Sequence, residues 1–125
     1  MKIETLAFIN DQLTGAGIQY EFGEWTSSTV PDPYWVGEYT EVEPTTEDGL
    51  QEISFMITGT SANSWLALET DKSKIENCFP RVEGKTAILG KTGVAVFYAD
   101  ALIVPVEDAA FKRIQVNLTI KEWSD

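Results

Sequence analysis

Residues 111–123 read FKRIQVNLTIKEW and carry the clearest structural pattern in the chain. Every second residue from position 114 is apolar, while polar residues stand between them: Ile114, Val116, Leu118 and Ile120. Strict alternation predicts a strand with one buried face and one face toward water. Residues 50–60, LQEISFMITGT, repeat the pattern with Ile53, Phe55 and Ile57 on one side. The two stretches predict a sheet whose apolar face needs a cover.

Two segments with helical spacing supply that cover. Residues 2–14 place apolar side chains three or four positions apart, and Gly15 and Gly17 then favour a helix end. Residues 61–79 carry a second apolar stripe, with Thr60 or Ser61 as the cap and Pro80 just beyond the end. The stripe consists of Trp65, Leu68, Ile75 and Phe79. We therefore expect two amphipathic helices.

The rest of the chain predicts three more strands and their connections. The strands are expected at residues 18–25, 33–43 and 94–107, the last interrupted at YAD, with loops at 26–33 and 44–49. The three glycines of residues 81–93 indicate an irregular connection. The predicted order is α-β-β-β-α-β-β. It corresponds to an α+β two-layer sandwich, in which two helices cover one face of an antiparallel sheet. The whole chain, residues 1–125, is expected to form a single domain.

Composition indicates a folded protein with a core of its own. The chain has 125 residues, of which 43% are hydrophobic, and a mean hydropathy of −0.12, which fits one domain without disulfides or metal. No apolar run reaches the roughly 18 residues of a membrane span. Glu4 stands where a signal peptide needs apolar residues. The protein is thus expected to stay in the compartment where it is made.

Residue types exclude most catalytic chemistry. The chain has no histidine, and Cys78 is its only cysteine. Histidine is the most frequent general base and metal ligand, and a single thiol forms neither an internal disulfide nor a cysteine zinc site. No pair of carboxylates is distinguished by its spacing. We predict that the protein is not an enzyme and needs no cofactor or metal.

The charge balance also excludes classes of partner. Twenty acidic residues stand against nine basic ones, a net charge of −11. Nucleic-acid backbones and anionic membranes bind to basic surfaces, so neither is an expected partner. A basic protein surface is the complementary partner.

Two short motifs are weak. GKT occurs at residues 84–86 and 90–92, but a phosphate-binding loop needs another glycine five positions earlier, where Phe79 and Lys85 stand. These glycines are predicted to form turns. The glycosylation motif at residues 117–119 lies inside the best predicted strand, so it is taken as a chance match.

Residues 30–43, VPDPYWVGEYTEVE, and the segment before them hold the candidate contact residues. Pro33 is tolerated at the first position of a strand, and large aromatics at a strand entry serve either the core or a partner. Tyr and Trp are enriched at interface hot spots. The candidate protein-contact residues are Trp25, Asp32, Tyr34 and Trp35.

Several phrases resemble the tail terminator, or tail-completion, proteins of long-tailed bacteriophages and prophages. The similar phrases are YEFGEW, PYWVGEYTE, EISFMITGTS, SWLALETDKSKIENCFP, GVAVFYADALIVPVED and FKRIQVNLTIKEW, which together span nearly the whole chain. The resemblance is one of pattern, because the family has no catalytic motif to match.

The resemblance implies a structural protein that forms a ring, typically a hexamer, on the end of the tail tube. Its partners would then be copies of itself, the tail-tube protein and the head–tail connector protein. It would assemble in the bacterial host cytoplasm and remain in the virion tail. A head–tail joining protein is an equally compatible variant.

Two other functions are compatible with these residues. One is a monomeric ligand-binding or immunity-type domain of the same fold, which predicts a monomer with a formed pocket. The other is an acidic inhibitor that mimics DNA, which predicts carboxylates in a contiguous double row.

Overall fold

The computed structural model describes residues 1–41, 49–108 and 110–124. Its elements, in chain order, are helix α1 (Ile3–Gly15), strands β1 (Tyr20–Phe22), β2 (Tyr34–Glu41) and β3 (Leu50–Ser61), helix α2 (Trp65–Cys78), and strands β4 (Lys85–Leu89), β5 (Thr92–Ile103) and β6 (Lys112–Ser124). Most of the predicted loop at 44–49 and the predicted end of the second strand at 42–43 lie outside the described residues.

The six strands form one mixed sheet in the order β1-β2-β3-β6-β5-β4. Strand β1 pairs parallel with β2, while the other four pairings are antiparallel. The sheet curls into a half-barrel and strands dominate the fold. The predicted two-layer α+β sandwich with an antiparallel sheet is therefore wrong. Side-chain alternation reports which face of a strand is buried, but it does not report the direction of the neighbouring strand or the curl of the sheet.

The predicted order α-β-β-β-α-β-β is wrong because it lacks β4. That strand lies inside residues 81–93, which were predicted to be irregular from their glycines. Gly84 and Gly90 instead adopt φ angles of 68° and 66° and bracket the strand. Left-handed backbone of this kind favours glycine and allows a tight reversal, here the hairpin that pairs Leu89 with Thr92. The two glycines therefore lie at the ends of a strand and do not indicate an irregular segment.

The predicted interruption at YAD is a bulge in one continuous strand. Pairing of β5 with β6 passes from Tyr98–Leu118 to Asp100–Asn117, so Ala99 is the extra residue. A bulge bends the strand and increases its twist, which fits the curl of the sheet.

The core lies between one face of the sheet and the two helices. The alternating residues predicted to face inward on β3 and β6 are all buried, which confirms those predictions. Leu68, Ile75 and Phe79 of the second helical segment are buried as predicted, whereas Trp65 is 40% exposed. Side chains from both helices and from β2, β3, β5 and β6 form one cluster. Burial of this apolar surface is the main force that holds the sheet in place.

A buried carboxylate caps the first helix. Helix α1 begins after Lys2 without a side-chain cap of its own. Glu122 of β6, only 4% exposed, instead accepts hydrogen bonds from the Lys2 backbone N–H and from the Thr5 hydroxyl. A negative charge at a helix N-terminus is favourable, because the helix dipole and the free N–H groups both point toward it. The contact joins the start of the chain to its last strand.

Replacing Glu122 with alanine is expected to lower the free energy of unfolding by about 2 to 3 kcal/mol, since it leaves the buried donors unpaired and opens a cavity. Glu122→Gln keeps the volume and one acceptor oxygen, so its loss should be smaller. Urea unfolding of both variants measures this. A Glu122→Ala variant as stable as wild type would show that the contact contributes nothing.

Candidate assembly surface

Asp32 fixes the loop before β2 to the end of β3. Its carboxylate accepts hydrogen bonds from the Ser61 hydroxyl, from the Ala62 backbone N–H at 3.0 Å and from the Asn63 amide at 2.9 Å. The peptide bond between Asp32 and Pro33 is cis. Both carboxylate oxygens are used inside the chain, so Asp32 shapes the surface around it.

We expect Asp32→Ala to lower the free energy of unfolding by about 1 to 2 kcal/mol, because charged acceptors form the stronger hydrogen bonds but this one is exposed. Asp32→Asn retains one acceptor oxygen and should lose less. Denaturant unfolding curves of the two variants give the values. An Asp32→Ala variant as stable as wild type would contradict an anchoring role for the carboxylate.

Trp25 and Tyr34 meet at this same end of the sheet. Their rings are 5.7 Å apart between centroids and tilted by 58°, an arrangement typical of attractive aromatic pairs. The Trp25 indole N–H donates to the Thr29 carbonyl at 3.2 Å. Both side chains are half-buried, so part of each ring is available to a partner.

Trp35 lies in the core and not at the surface. Its side chain is fully buried, packed over Gly59 of the neighbouring strand. Its indole N–H donates to the Asp71 carboxylate at 3.0 Å and so ties β2 to α2. The structure thus gathers Trp25, Asp32 and Tyr34 at one end of the sheet and places Trp35 in the core.

A shallow groove of about 160 Å³ borders these residues, lined by Val30, Pro31, Asp32, Tyr34, Thr60, Ala62 and Phe111. A second groove of similar volume lies at the end of β5, beside Leu102 and Ile103. The ends of β3, β5 and the start of α2 meet at this side of the sheet. Six exposed large apolar side chains belong to the segments that end here, and we call them the apolar end surface: Val30, Trp65, Leu66, Leu102, Ile103 and Phe111.

None of these six residues was predicted as a contact residue. A signal for four of them is present in the sequence. Trp65-Leu66 and Leu102-Ile103 are adjacent apolar pairs in a helix and a strand. Adjacent residues of a strand point to opposite faces, and neighbours on a helix are turned well apart, so both members of a pair seldom reach the same core. Exposed apolar side chains grouped in this way are typical of protein-contact sites.

The Cys78 thiol and the Tyr20 hydroxyl are both held neutral by burial. Burial raises the pKa of the Cys78 thiol, against a smaller lowering by the Lys85 charge, and burial likewise raises the pKa of Tyr20. Both groups are therefore held in their neutral forms, unlike an activated nucleophile. The Cys78 sulfur contacts the Gln12 carbonyl at 3.6 Å. Within residues 1–41, 49–108 and 110–124, no three acidic, cysteine or histidine side chains group as a metal site.

Neither described helix is long and apolar enough to cross a membrane. No protein-family model matches the chain, and no curated protein matches it in sequence.

Solved structures share the fold over the whole chain. One is a chain from the virion of a native gene transfer agent particle, with a TM-score of 0.69, 11% identity and coverage of 93% of this chain and 92% of that one. A second, whose name gives no function, has a TM-score of 0.70 and 9% identity, and covers 100% of this chain and 98% of its own. At these identities the likeness concerns the fold alone.

Proposed function

We propose that this protein is a structural component of a phage or phage-like particle, in which it forms a ring, a hexamer, that caps the tail tube and joins it to the head connector. The observation that carries the proposal is the likeness over nearly the full length of both chains to a chain of a gene transfer agent virion. The protein then acts in the host cytoplasm during assembly and in the tail afterwards.

The surface of the molecule supports a role in assembly. The apolar end surface presents Leu66 at 77% and Ile103 at 62% exposure, and these side chains would be covered by a partner on binding. We place the tail-tube or connector contact there. Trp25 and Tyr34 lie beside it and add a pair of packed aromatic rings to the same contact.

The chemistry of the chain agrees with a non-enzymatic role. The only thiol and the buried Tyr20 hydroxyl are held neutral, and the acidic side chains carry structural contacts where they are buried. In this account the protein acts by binding other proteins through its surface, so no reaction step is assigned to it.

The experiment is a tube-end binding assay. Purified protein is mixed with preassembled tail tubes encoded by the same genome, and the tube ends are examined by electron microscopy. Wild-type protein should occupy tube ends and stop further growth of the tubes. The double variant Leu66→Asp and Ile103→Asp should lose end binding, since each carboxylate would be desolvated at the contact.

Ile3→Asp is the matched control. Ile3 is 80% exposed but lies at the start of α1, where an acidic residue suits the helix dipole. This variant should bind tube ends as wild type does. Wild-type protein that neither binds tube ends nor limits tube growth would contradict the proposal and favour a monomeric binding or inhibitor protein.

A further inference from the structure

Charge is divided unequally between the two halves of the chain. Residues 1–71 contain thirteen acidic residues and one basic residue, Lys2, a net charge of −12. Residues 72–125 contain seven acidic and eight basic residues, a net charge of +1. No lysine or arginine occurs between Lys2 and Lys72. The net negative charge of the protein thus belongs to its first half.

Because of the strand order, the two halves of the chain, and so their different net charges, lie on opposite sides of the sheet. Strands β1, β2 and β3 come from the first half and lie on one side of the sheet, while β6, β5 and β4 come from the second half and lie on the other. The two outermost parts of the sheet therefore differ in charge. Residues 20–41 carry five acidic and no basic side chains, whereas residues 81–91 carry three basic side chains and one acidic.

Exposed side chains mark both edges. The basic edge, at β4, presents Val82, Lys85, Ile88 and Lys91, with Val82 90% and Ile88 85% exposed. The acidic edge, at β1 and β2, presents Phe22, Glu24, Glu38 and Tyr39, all exposed. The rings of Phe22 and Tyr39 stack 5.9 Å apart between centroids. Each edge thus combines apolar contact area with a net charge, positive at β4 and negative at β1 and β2.

Both edges also leave backbone available for pairing. Within the described residues, β4 pairs only with β5, and β1 covers β2 only at residues 35–37, so that Glu38–Glu41 has no strand on its outer side. These stretches are five and four residues long. Uncovered strand edges are templates for another strand.

We propose that the basic edge of one copy of this chain binds the acidic edge of the next copy, so that the sheet continues from subunit to subunit. Two basic edges, or two acidic edges, would bring like charges together, which disfavours a two-fold symmetric pair. Opposite edges attract, and a repeated head-to-tail contact of this kind closes into a ring when the rotation fits. The inference rests on the proposed ring and names the surfaces that form it.

Two charge-reversal variants test the pairing. The first, Lys85→Glu with Lys91→Glu, makes both edges acidic, and the second, Glu24→Lys with Glu38→Lys, makes both edges basic. The mass of each is measured by light scattering after size exclusion, alone and with tail tubes, under the condition in which wild type assembles. Each variant by itself should lose the ring and run as the 13.9 kDa monomer.

An equimolar mixture of the two variants should recover the ring, because acidic and basic edges then alternate around it. Lys74→Glu with Lys112→Glu is the control, with the same change of charge on α2 and on the central strand β6. It should assemble as wild type does. Thermal unfolding of each variant checks that it is folded.

The outcomes separate the two proposals. Wild-type protein that assembles in neither condition overturns both the proposed function and this inference. A wild-type ring with unchanged rings in the two edge variants overturns the inference alone, and Lys85 and Lys91 then serve to protect an unpaired edge strand. A mixture that stays monomeric overturns head-to-tail pairing.

Discussion

Trp35→Ala should lower the free energy of unfolding by about 3 to 5 kcal/mol, the largest loss that we expect from any single truncation in this protein. The indole is fully buried at the second position of β2, as part of the core cluster. Its removal leaves a large cavity and leaves the Asp71 carboxylate without its buried donor. Whole domains have only about 5 to 15 kcal/mol of stability, so this loss threatens folding itself.

Trp35→Phe separates the two contributions to that loss. The phenyl ring fills much of the space but donates no hydrogen bond, so about 1 to 3 kcal/mol should be lost. Urea unfolding followed by far-ultraviolet circular dichroism measures both variants. A Trp35→Ala variant that loses less than about 1 kcal/mol would contradict the central position given to this side chain, whereas one that fails to fold would agree with it.

Gly59→Val should lower the free energy of unfolding by a comparable amount, because Gly59 is the residue that the Trp35 ring packs against. A Cβ atom on Gly59 would lie 2.6 Å from carbons of the Trp35 ring, well inside van der Waals distance. The ring is enclosed by the core and has little room to move, so we expect a loss of about 3 kcal/mol, at the upper end for overpacking. The glycine is required here for close approach rather than for backbone freedom.

Gly15→Ala is the control for this substitution. Gly15 is the last residue of α1, and a Cβ atom there would meet nothing within 4 Å. Its stability should stay the same or rise by up to about 1 kcal/mol, since alanine loses less entropy than glycine in a helix. Equal stability of Gly59→Val and Gly15→Ala in urea unfolding would show that the indole does not press on Gly59.

The sequence predicted which face of a strand is buried better than it predicted which strands pair with each other. The inward positions of β3 and β6, at Ile57 and Val116 for example, follow from alternation alone and were confirmed. The parallel pairing of β1 and the hairpin of β4 were missed. Pairing depends on hydrogen bonds between segments far apart in the chain, and a five-residue edge strand between glycines has too few residues for a visible period.

The candidate contact residues illustrate the same limit. Aromatic type alone does not distinguish Tyr34, which is half-buried at the sheet's end, from Trp35, which is fully buried one position later. Only the curl of the sheet and the position of α2 decide which side of β2 faces the core. The contact role of Trp25, Asp32 and Tyr34 and the single domain over residues 1–125 stay predictions.

The central claim is that this chain assembles into a ring on a tail tube. Its most direct test is the absolute mass of the purified protein by light scattering coupled to size exclusion, alone and after mixing with tail tubes of the same genome. The account predicts a particle with the mass of six chains, either alone or on the tubes. A 13.9 kDa monomer that ignores the tubes at every concentration would contradict it.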